Sequence, residues 1–172
     1  MVTLREVGER GIIEAVSSAV RMRSRNIRIG IGDDAAVLRA GKDVVVCTDI
    51  VGEERHKPEG MNWQQFGWTS AAVCFSDLAA MGARPTGFLP SITAPDDMEL
   101  EDLVDIVSGI DQCCEFVKTS VVGGDTKPGR VSVAGTALGD MEGREPMVRS
   151  GARPGDIVAL VGLLGEPAAG FA

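Results

Sequence analysis

Apolar positions along the chain fall into stretches of helical period separated by short strand-like runs. A helix is expected between Thr3 and Arg21, with Thr3 and Glu6 at capping-box spacing and Gly8 and Gly11 weakening its early turns. Val44-Val45-Val46-Cys47 is a β-branched run and predicts a strand. Its expected partner is Ala35-Ala36-Val37-Leu38, across a turn at Ala40-Gly41-Lys42-Asp43. A long helix is expected from Trp63 to Met81, with cap spacing between Asn62 and Gln65. Trp63, Phe66, Ser70, Cys74 and Leu78 trace one side of it, and Ala71, Phe75 and Ala79 fill much of the rest, so most of its circumference is expected to be buried. A third helix, Met98 to Lys118, carries the stripe Leu103, Val107, Ile110, Cys114 and Val117 opposite Glu101, Asp102, Asp105 and Glu115.

Phe88 to Thr93, Ser120 to Val122, Val131 to Leu138 and Ile157 to Val161 read as further strands. Strands and helices interleave, which predicts an α/β (α+β) architecture: a mixed β-sheet covered by helices. Residues 1–140 are expected to form one domain. Residues 141–172 read as a linker and the cut-off start of a second, because the helix opening at Gly165-Glu166-Pro167 stops within about two turns.

Composition narrows the function. The chain has 172 residues, 44% of them apolar, so a real core can be buried. A formal charge of −8 argues against phosphate-backbone binding, so no nucleic-acid partner is expected. No apolar run spans a bilayer and the first residues lack a signal-peptide stretch, so a cytoplasmic protein is expected, without a membrane partner. Cys47, Cys74, Cys113 and Cys114 form no C-x-x-C pair and read as buried thiols.

Gly30-Ile31-Gly32-Asp33-Asp34-Ala35 has the spacing of a dinucleotide fingerprint, with Glu53 and Glu54 downstream. The match fails on chemistry. A pyrophosphate docks on bare backbone N–H groups at a helix start, whereas here two carboxylates enter that space and a strand follows. The same Asp33-Asp34 pair makes sense as a Mg²⁺ platform, since Mg²⁺ binds one or two carboxylates plus substrate phosphates. An Asx turn capping a strand explains the pair equally well. Asp49 ends the Val44 strand, Asp77 sits within an otherwise apolar helix, and Asp125 follows Val121-Val122-Gly123-Gly124. A buried carboxylate at Asp77 would need a partner or a metal. Each alone is also an ordinary cap or surface residue; together they point to a shared Mg²⁺–polyphosphate site. Gly123-Gly124-Asp125-Thr126 can offer N–H groups to phosphate. Arg149 is the cationic candidate, with an ordinary surface arginine as its plain alternative. His56, the one histidine, sits in the charged run Glu53 to Pro58 and reads on spacing alone as a solvated residue. No Ser–His–Asp or Cys–His arrangement can be assembled.

Five motifs together resemble one family. Gly-Ile-Gly-Asp-Asp-Ala-Ala-Val-Leu at 30–38, Thr48-Asp49, Ser-Asp-Leu-Ala-Ala-Met-Gly-Ala at 76–83, Gly-Gly-Asp-Thr at 123–126 and Arg-Ser-Gly-Ala-Arg-Pro-Gly-Asp at 149–156 resemble thiamine-monophosphate kinase in order and spacing. The wider superfamily is that of aminoimidazole ribonucleotide synthetase. The resemblance implies an N-terminal α/β domain that makes a homodimer through its sheet. It also implies ATP-dependent, Mg²⁺-assisted in-line phosphorylation of thiamine monophosphate to thiamine diphosphate. It further implies Asp34, Thr48, Asp49, Asp77 and Asp125 as metal ligands, with the Cys47 backbone as an addition. Gly124, Asp125 and Arg149 are implied as ATP contacts, and His56 as a contact to the acceptor. No protein nucleophile is implied. One departure is local: family members commonly carry Phe where Lys57 stands. Two rivals remain. One is another ATP-using enzyme of the superfamily, although the selenophosphate branch would be expected to show a reactive cysteine before Cys47. The other is a non-catalytic dimerising module without the second domain.

Overall fold

The computed structural model describes residues 3–21, 25–29, 37–38, 44–148, 151–160 and 162. The first helix, α1 (Leu4–Ala19), starts where the Glu6 carboxylate accepts the Thr3 N–H at 2.9 Å, and it kinks at Gly8, whose φ is +65°. Two short strands, β1 (Ile27–Ile29) and β2 (Val37–Leu38), pair antiparallel with each other. Then follow β3 (Val44–Gly52), α2 (Glu53–His56), α3 (Trp63–Ala80), β4 (Arg84–Ala94), α4 (Leu100–Phe116), β5 (Asp125–Pro128) and β6 (Ser132–Asp140). A reciprocal capping box starts α3: Asn62 Oδ1 accepts the Gln65 N–H at 2.8 Å, and Gln65 Oε1 accepts the Asn62 N–H at 3.0 Å.

The main sheet is mixed, in the order β3-β6-β4-β5. The pair β4–β5 is parallel, and β6 runs antiparallel to both β3 and β4. The expected partnership of the Val44 strand with Ala35–Leu38 is therefore corrected. Val37–Leu38 pairs with β1, whereas β3 pairs along its whole length with β6, from Val44 opposite Asp140 to Gly52 opposite Ser132. Nine residues of continuous ladder outcompete a two-residue strand, however short the connecting turn. Two other expected strands also change. Ser120–Val122 contributes an isolated bridge between Val121 and Phe88, and Ile157–Leu160 is exposed chain without strand pairing. Val161 lies outside the described residues.

Residues alternate across the sheet. Phe88, Ile92 and Ala94 of β4 and Val133 and Ala137 of β6 point into the core with Phe66, Cys74 and Leu78 of α3 and Leu103, Ile106, Val107 and Ile110 of α4. The two long helices cross with almost no side-chain spacer. A Cβ on Gly67 would lie 1.9 Å from the Ile106 carbonyl oxygen, and one on Gly109 would lie 1.8 Å from that of Gln64. The opposite face of the sheet holds Val44, Val46 and Ile50 of β3, which are 46%, 57% and 61% exposed. One-sided sheets ordinarily place polar residues there.

Candidate active site

Two sequence motifs converge where β3 meets α3. Cys47 and Asp49 lie two apart on β3 and so share its inner face, while Cys74 and Asp77 lie three apart on α3 and so are neighbours on the helix surface. The Cys47 thiol donates to the Cys74 carbonyl at 3.1 Å, and the Cys74 thiol donates to the Gly135 carbonyl at 3.5 Å. All four cysteines are free thiols; Cys74, Cys113 and Cys114 are buried and Cys47 is half-buried. Burial pushes the Cys74 thiol up to about 12, with the neighbouring Cys47, Asp49 and Asp77 adding to the rise. Cys47 is raised by burial first and then by the charge of Asp77, with Asp49 contributing further. The helix runs antiparallel to β3, since a Cβ on Gly135, opposite Asp49, would meet Cys74 and one on Gly139, opposite Val45, would meet Leu78, so the two carboxylates flank the Cys47–Cys74 contact from opposite sides.

Asp49 and Asp77 are both exposed. This corrects the expectation that Asp77 is a buried carboxylate: the apolar circumference of α3 opens near its C-terminal end, where Ser76, Asp77, Ala79 and Ala80 are exposed around buried Leu78. The burial argument for a metal at Asp77 falls away. The Asp49 carboxylate accepts the Ile50 N–H at 2.7 Å, which turns it back along its own strand. Thr48 has its side chain on the outer face, donating to the Gly135 carbonyl at 2.8 Å and lying 3.4 Å from the Thr136 hydroxyl.

Asp125 is placed elsewhere. It opens β5, at the edge of the sheet opposite β3, roughly 14 Å away at the usual strand spacing. It accepts the Thr126 N–H at 2.9 Å and pairs with Lys127 at 3.3 Å. Gly124 lies against β4, and a Cβ there would be 2.4 Å from the Pro90 carbonyl oxygen, so this approach requires glycine. Gly123 to Pro128 line a cleft of about 470 Å³, walled by Leu4, Ile12 and Val16 of α1 and by Ile92 and Val107. Arg5 and Lys127 bring cationic groups to it. Sequence reasoning missed this cleft and Lys127, because the cleft exists only once α1 packs beside β4 and β5.

His56 ends α2, where a solvated loop was expected. Its Nδ1 lies 3.0 Å from the Gly52 N–H and 3.1 Å from the Gly52 carbonyl, and the ring is exposed. Lys57, the departure from the family pattern, lies over the Trp63 ring with its Nζ 4.6 Å from the centroid. Asp33, Asp34 and Arg149 lie outside the described residues. Among the described residues no group of three or more His, Cys, Asp or Glu side chains could hold a metal, and no helix is long and apolar enough to cross a membrane. An Asp49–Asp77 pair still fits Mg²⁺, which keeps several waters and takes one or two protein carboxylates with phosphates.

Comparison with known proteins adds an independent line. Residues 32–141 match the family described as AIR synthase related protein, N-terminal domain. The chain is similar to thiamine-monophosphate kinase of Mycobacterium tuberculosis (strain ATCC 25618 / H37Rv), at 35% identity over 175 aligned positions, covering 99% of this chain and 52% of that protein. The chain spans about half the length of the curated relatives it matches. Among solved structures, the thiamine-monophosphate kinase of Stenotrophomonas maltophilia K279a superposes with a TM-score of 0.62 at 32% identity, over 74% of this chain and 39% of that one. The structure of AaThiL complexed with AMPPCP and TMP gives a TM-score of 0.55 at 29% identity, over 81% and 44% of the two chains.

Proposed function

From a chain that belongs to the AIR synthase related N-terminal domain family, we propose ATP-dependent phosphorylation of thiamine monophosphate to thiamine diphosphate. In this reading the chain is the metal- and nucleotide-binding part of a cytoplasmic thiamine-monophosphate kinase. The observation that carries the reading is that Asp49 and Asp77, from separate motifs, lie on the two elements joined at the Cys47–Cys74 contact and flank it on either side. Its support outside this chain is the similarity to the AaThiL complex with AMPPCP and TMP.

The chemistry asks for little covalent help. Donor and acceptor are both phosphate anions, so no protein nucleophile is needed and positioning dominates. Bound Mg²⁺ would supply charge neutralisation between the two polyanions. Asp49 and Asp77, with Asp34 and the Cys47 carbonyl, would hold it on the β3–α3 side; Thr48, whose side chain is on the outer face, would join only through its backbone, and Asp125, across the sheet, would hold a separate ion. Gly124 and Asp125 seat the nucleotide: the glycine loop offers backbone N–H groups to phosphate, and the apolar wall of the neighbouring cleft suits a flat base. Arg149 clamps a phosphate oxygen. His56 donates to the acceptor phosphate from beyond the end of β3. The outward Val44, Val46 and Ile50 side chains supply the surface on which a second copy closes the sheet into a homodimer.

The test is formation of thiamine diphosphate from thiamine monophosphate and ATP by the longest natural form of the protein, with Asp49→Asn and Asp77→Asn beside the wild type. The wild type is expected to turn over only with Mg²⁺, and each variant is expected to lose at least about a hundredfold. Wild-type rates in both variants would remove the carboxylate pair from the reaction.

A further inference from the structure

The cleft beside β5 has α1 as one wall, and that wall is broken at Gly8. We propose that α1 beyond Gly8, residues 9–19, is a lid: it swivels about Gly8 and closes on the base of a bound nucleoside triphosphate. This role rests on the nucleotide reading above and adds to it the element that grips the base.

Gly8 has φ +65° and ψ 175°, a backbone conformation open essentially to glycine alone. A Cβ there would meet nothing within 4 Å, so the backbone and not crowding calls for glycine. The break divides α1 into two parts that are held differently. The first turn is tied down: Leu4 is buried, its N–H donates to the Met98 carbonyl and that of Arg5 to the Asp96 carbonyl, both at 3.3 Å, and Thr3 bridges to Glu99. Beyond the break, Ile12 and Val16 pack against the core edge yet stay half-buried, and both line the cleft of about 470 Å³. Small-molecule sites run to about 300–1,000 Å³. Gly8, Ile12 and Val16 follow one another at helical i, i+4 spacing, so hinge and wall face the same space. Ile92 and Val107 stand across it, and the Gly123–Gly124 loop lines it too. The two cations of the cleft are each offset by a carboxylate, Arg5 by Asp96 and Lys127 by Asp125. A triphosphate would therefore rely on the loop N–H groups and an ion at Asp125, which leaves the apolar walls to the base. A flat ring between α1 and the sheet completes the burial that Ile12 and Val16 lack, and the swivel at Gly8 lets the helix settle on it.

The experiment reads backbone hydrogen exchange rather than turnover. The 172-residue chain is followed alone, with Mg-ATP and with Mg-tripolyphosphate, each ligand first titrated by calorimetry to fix a saturating concentration. Tripolyphosphate keeps the phosphate chain and lacks the base. Exchange across residues 9–19 is expected to slow about tenfold with ATP and to stay unchanged with tripolyphosphate, while residues 4–7 do not respond to either. Gly8→Ala disfavours the hinge conformation and is expected to weaken ATP about five- to thirtyfold, with tripolyphosphate affinity kept within about twofold. The exchange comparison needs no variant, so it decides the matter even where Gly8→Ala fails to fold. Saturating ATP that leaves residues 9–19 unprotected overturns the lid and leaves the nucleotide reading standing. So does equal protection by tripolyphosphate, or wild-type ATP affinity in a folded Gly8→Ala chain. A wild-type chain that binds neither ligand overturns the nucleotide reading and the lid with it.

Discussion

Gly109→Ala is the most direct probe of how α3 is held. The new Cβ would sit 1.8 Å from the Gln64 carbonyl oxygen and 2.8 Å from both the Gln64 carbonyl carbon and the Trp68 nitrogen. A carbon and a carbonyl oxygen rest at about 3.3–3.6 Å, so the helices must part by roughly 1.5 Å. The obstacle is helix backbone, which cannot turn aside as a side chain can. Overpacking of this kind costs about 1–3 kcal/mol, and the parting also removes contacts from buried Phe66, Ile106 and Ile110. Alanine regains about 1 kcal/mol of helix propensity over glycine. With overpacking at the top of its range, because the obstacle is backbone, and about 1 kcal/mol for the lost contacts, the balance is a loss of about 3 kcal/mol. Urea unfolding reads it well, because both tryptophans of the chain, Trp63 and Trp68, lie on α3. With a slope of about 2 kcal/mol/M, the midpoint is expected to fall by about 1.5 M. Glu101→Ala, exposed on the same helix, is the control and is expected to stay within about 0.5 kcal/mol. A Gly109→Ala protein as stable as wild type would refute the close crossing and the placement of α3 that depends on it.

Two further outcomes are expected. Stability falls in alkali: burial pushes the Cys74 thiol up to about 12 and the Cys113 thiol up to about 11 from the ordinary thiol value of 9.0, so the folded chain keeps protons that the unfolded chain sheds. The contribution is fully present below about pH 9 and is lost as pH rises toward the folded values. It amounts to about 1.4 kcal/mol per thiol per pH unit in that window. The chain has no tyrosine to confuse the effect, and equal urea midpoints at pH 9 and pH 10 would contradict it. Light scattering at micromolar concentration is expected to give twice the chain mass for wild type and a single chain mass for Val46→Asp, which puts a charge on the outward apolar face of β3; a monomeric wild type would dispose of the sheet-mediated dimer.

Much of the fold was legible because its signals are local. The capping residues Asn62 and Gln65 mark the start of α3, and the stripe from Leu103 to Cys114 marks α4. The mixed sheet followed from the interleaving of strands and helices. Pairing was less legible, since the partner of β3 is chosen by ladder length across a long sequence separation, and the short turn after Leu38 pointed elsewhere. Strand β5, Asp-Thr-Lys-Pro, lacks β-branched alternation and forms by lying parallel to Ser91–Ala94. At the site, residue type and spacing led to Asp49 and Asp77. Their exposure and the thiol contact between their elements are tertiary facts that no periodicity encodes.

Gly135 shows how far the site depends on packing away from it. A Cβ there would meet the Phe88 ring at 2.6 Å and the Cys74 sulfur at 2.9 Å. Glycine at this point of β6 lets Phe88 fill the core against Phe75, whose ring lies 5.3 Å away, while α3 settles low enough for Cys74 to reach the sheet. Only at that height does Cys47 touch the Cys74 carbonyl. In the ladder, Gly135 stands opposite Asp49 on one side and Pro90 on the other, and Pro90 is the residue against which Gly124 packs. One row across the sheet therefore runs from Asp49 to the glycine loop, and glycines at two of its positions permit the close approaches. The acidic residues carry the proposed chemistry, but the absence of side chains between them decides where those residues stand.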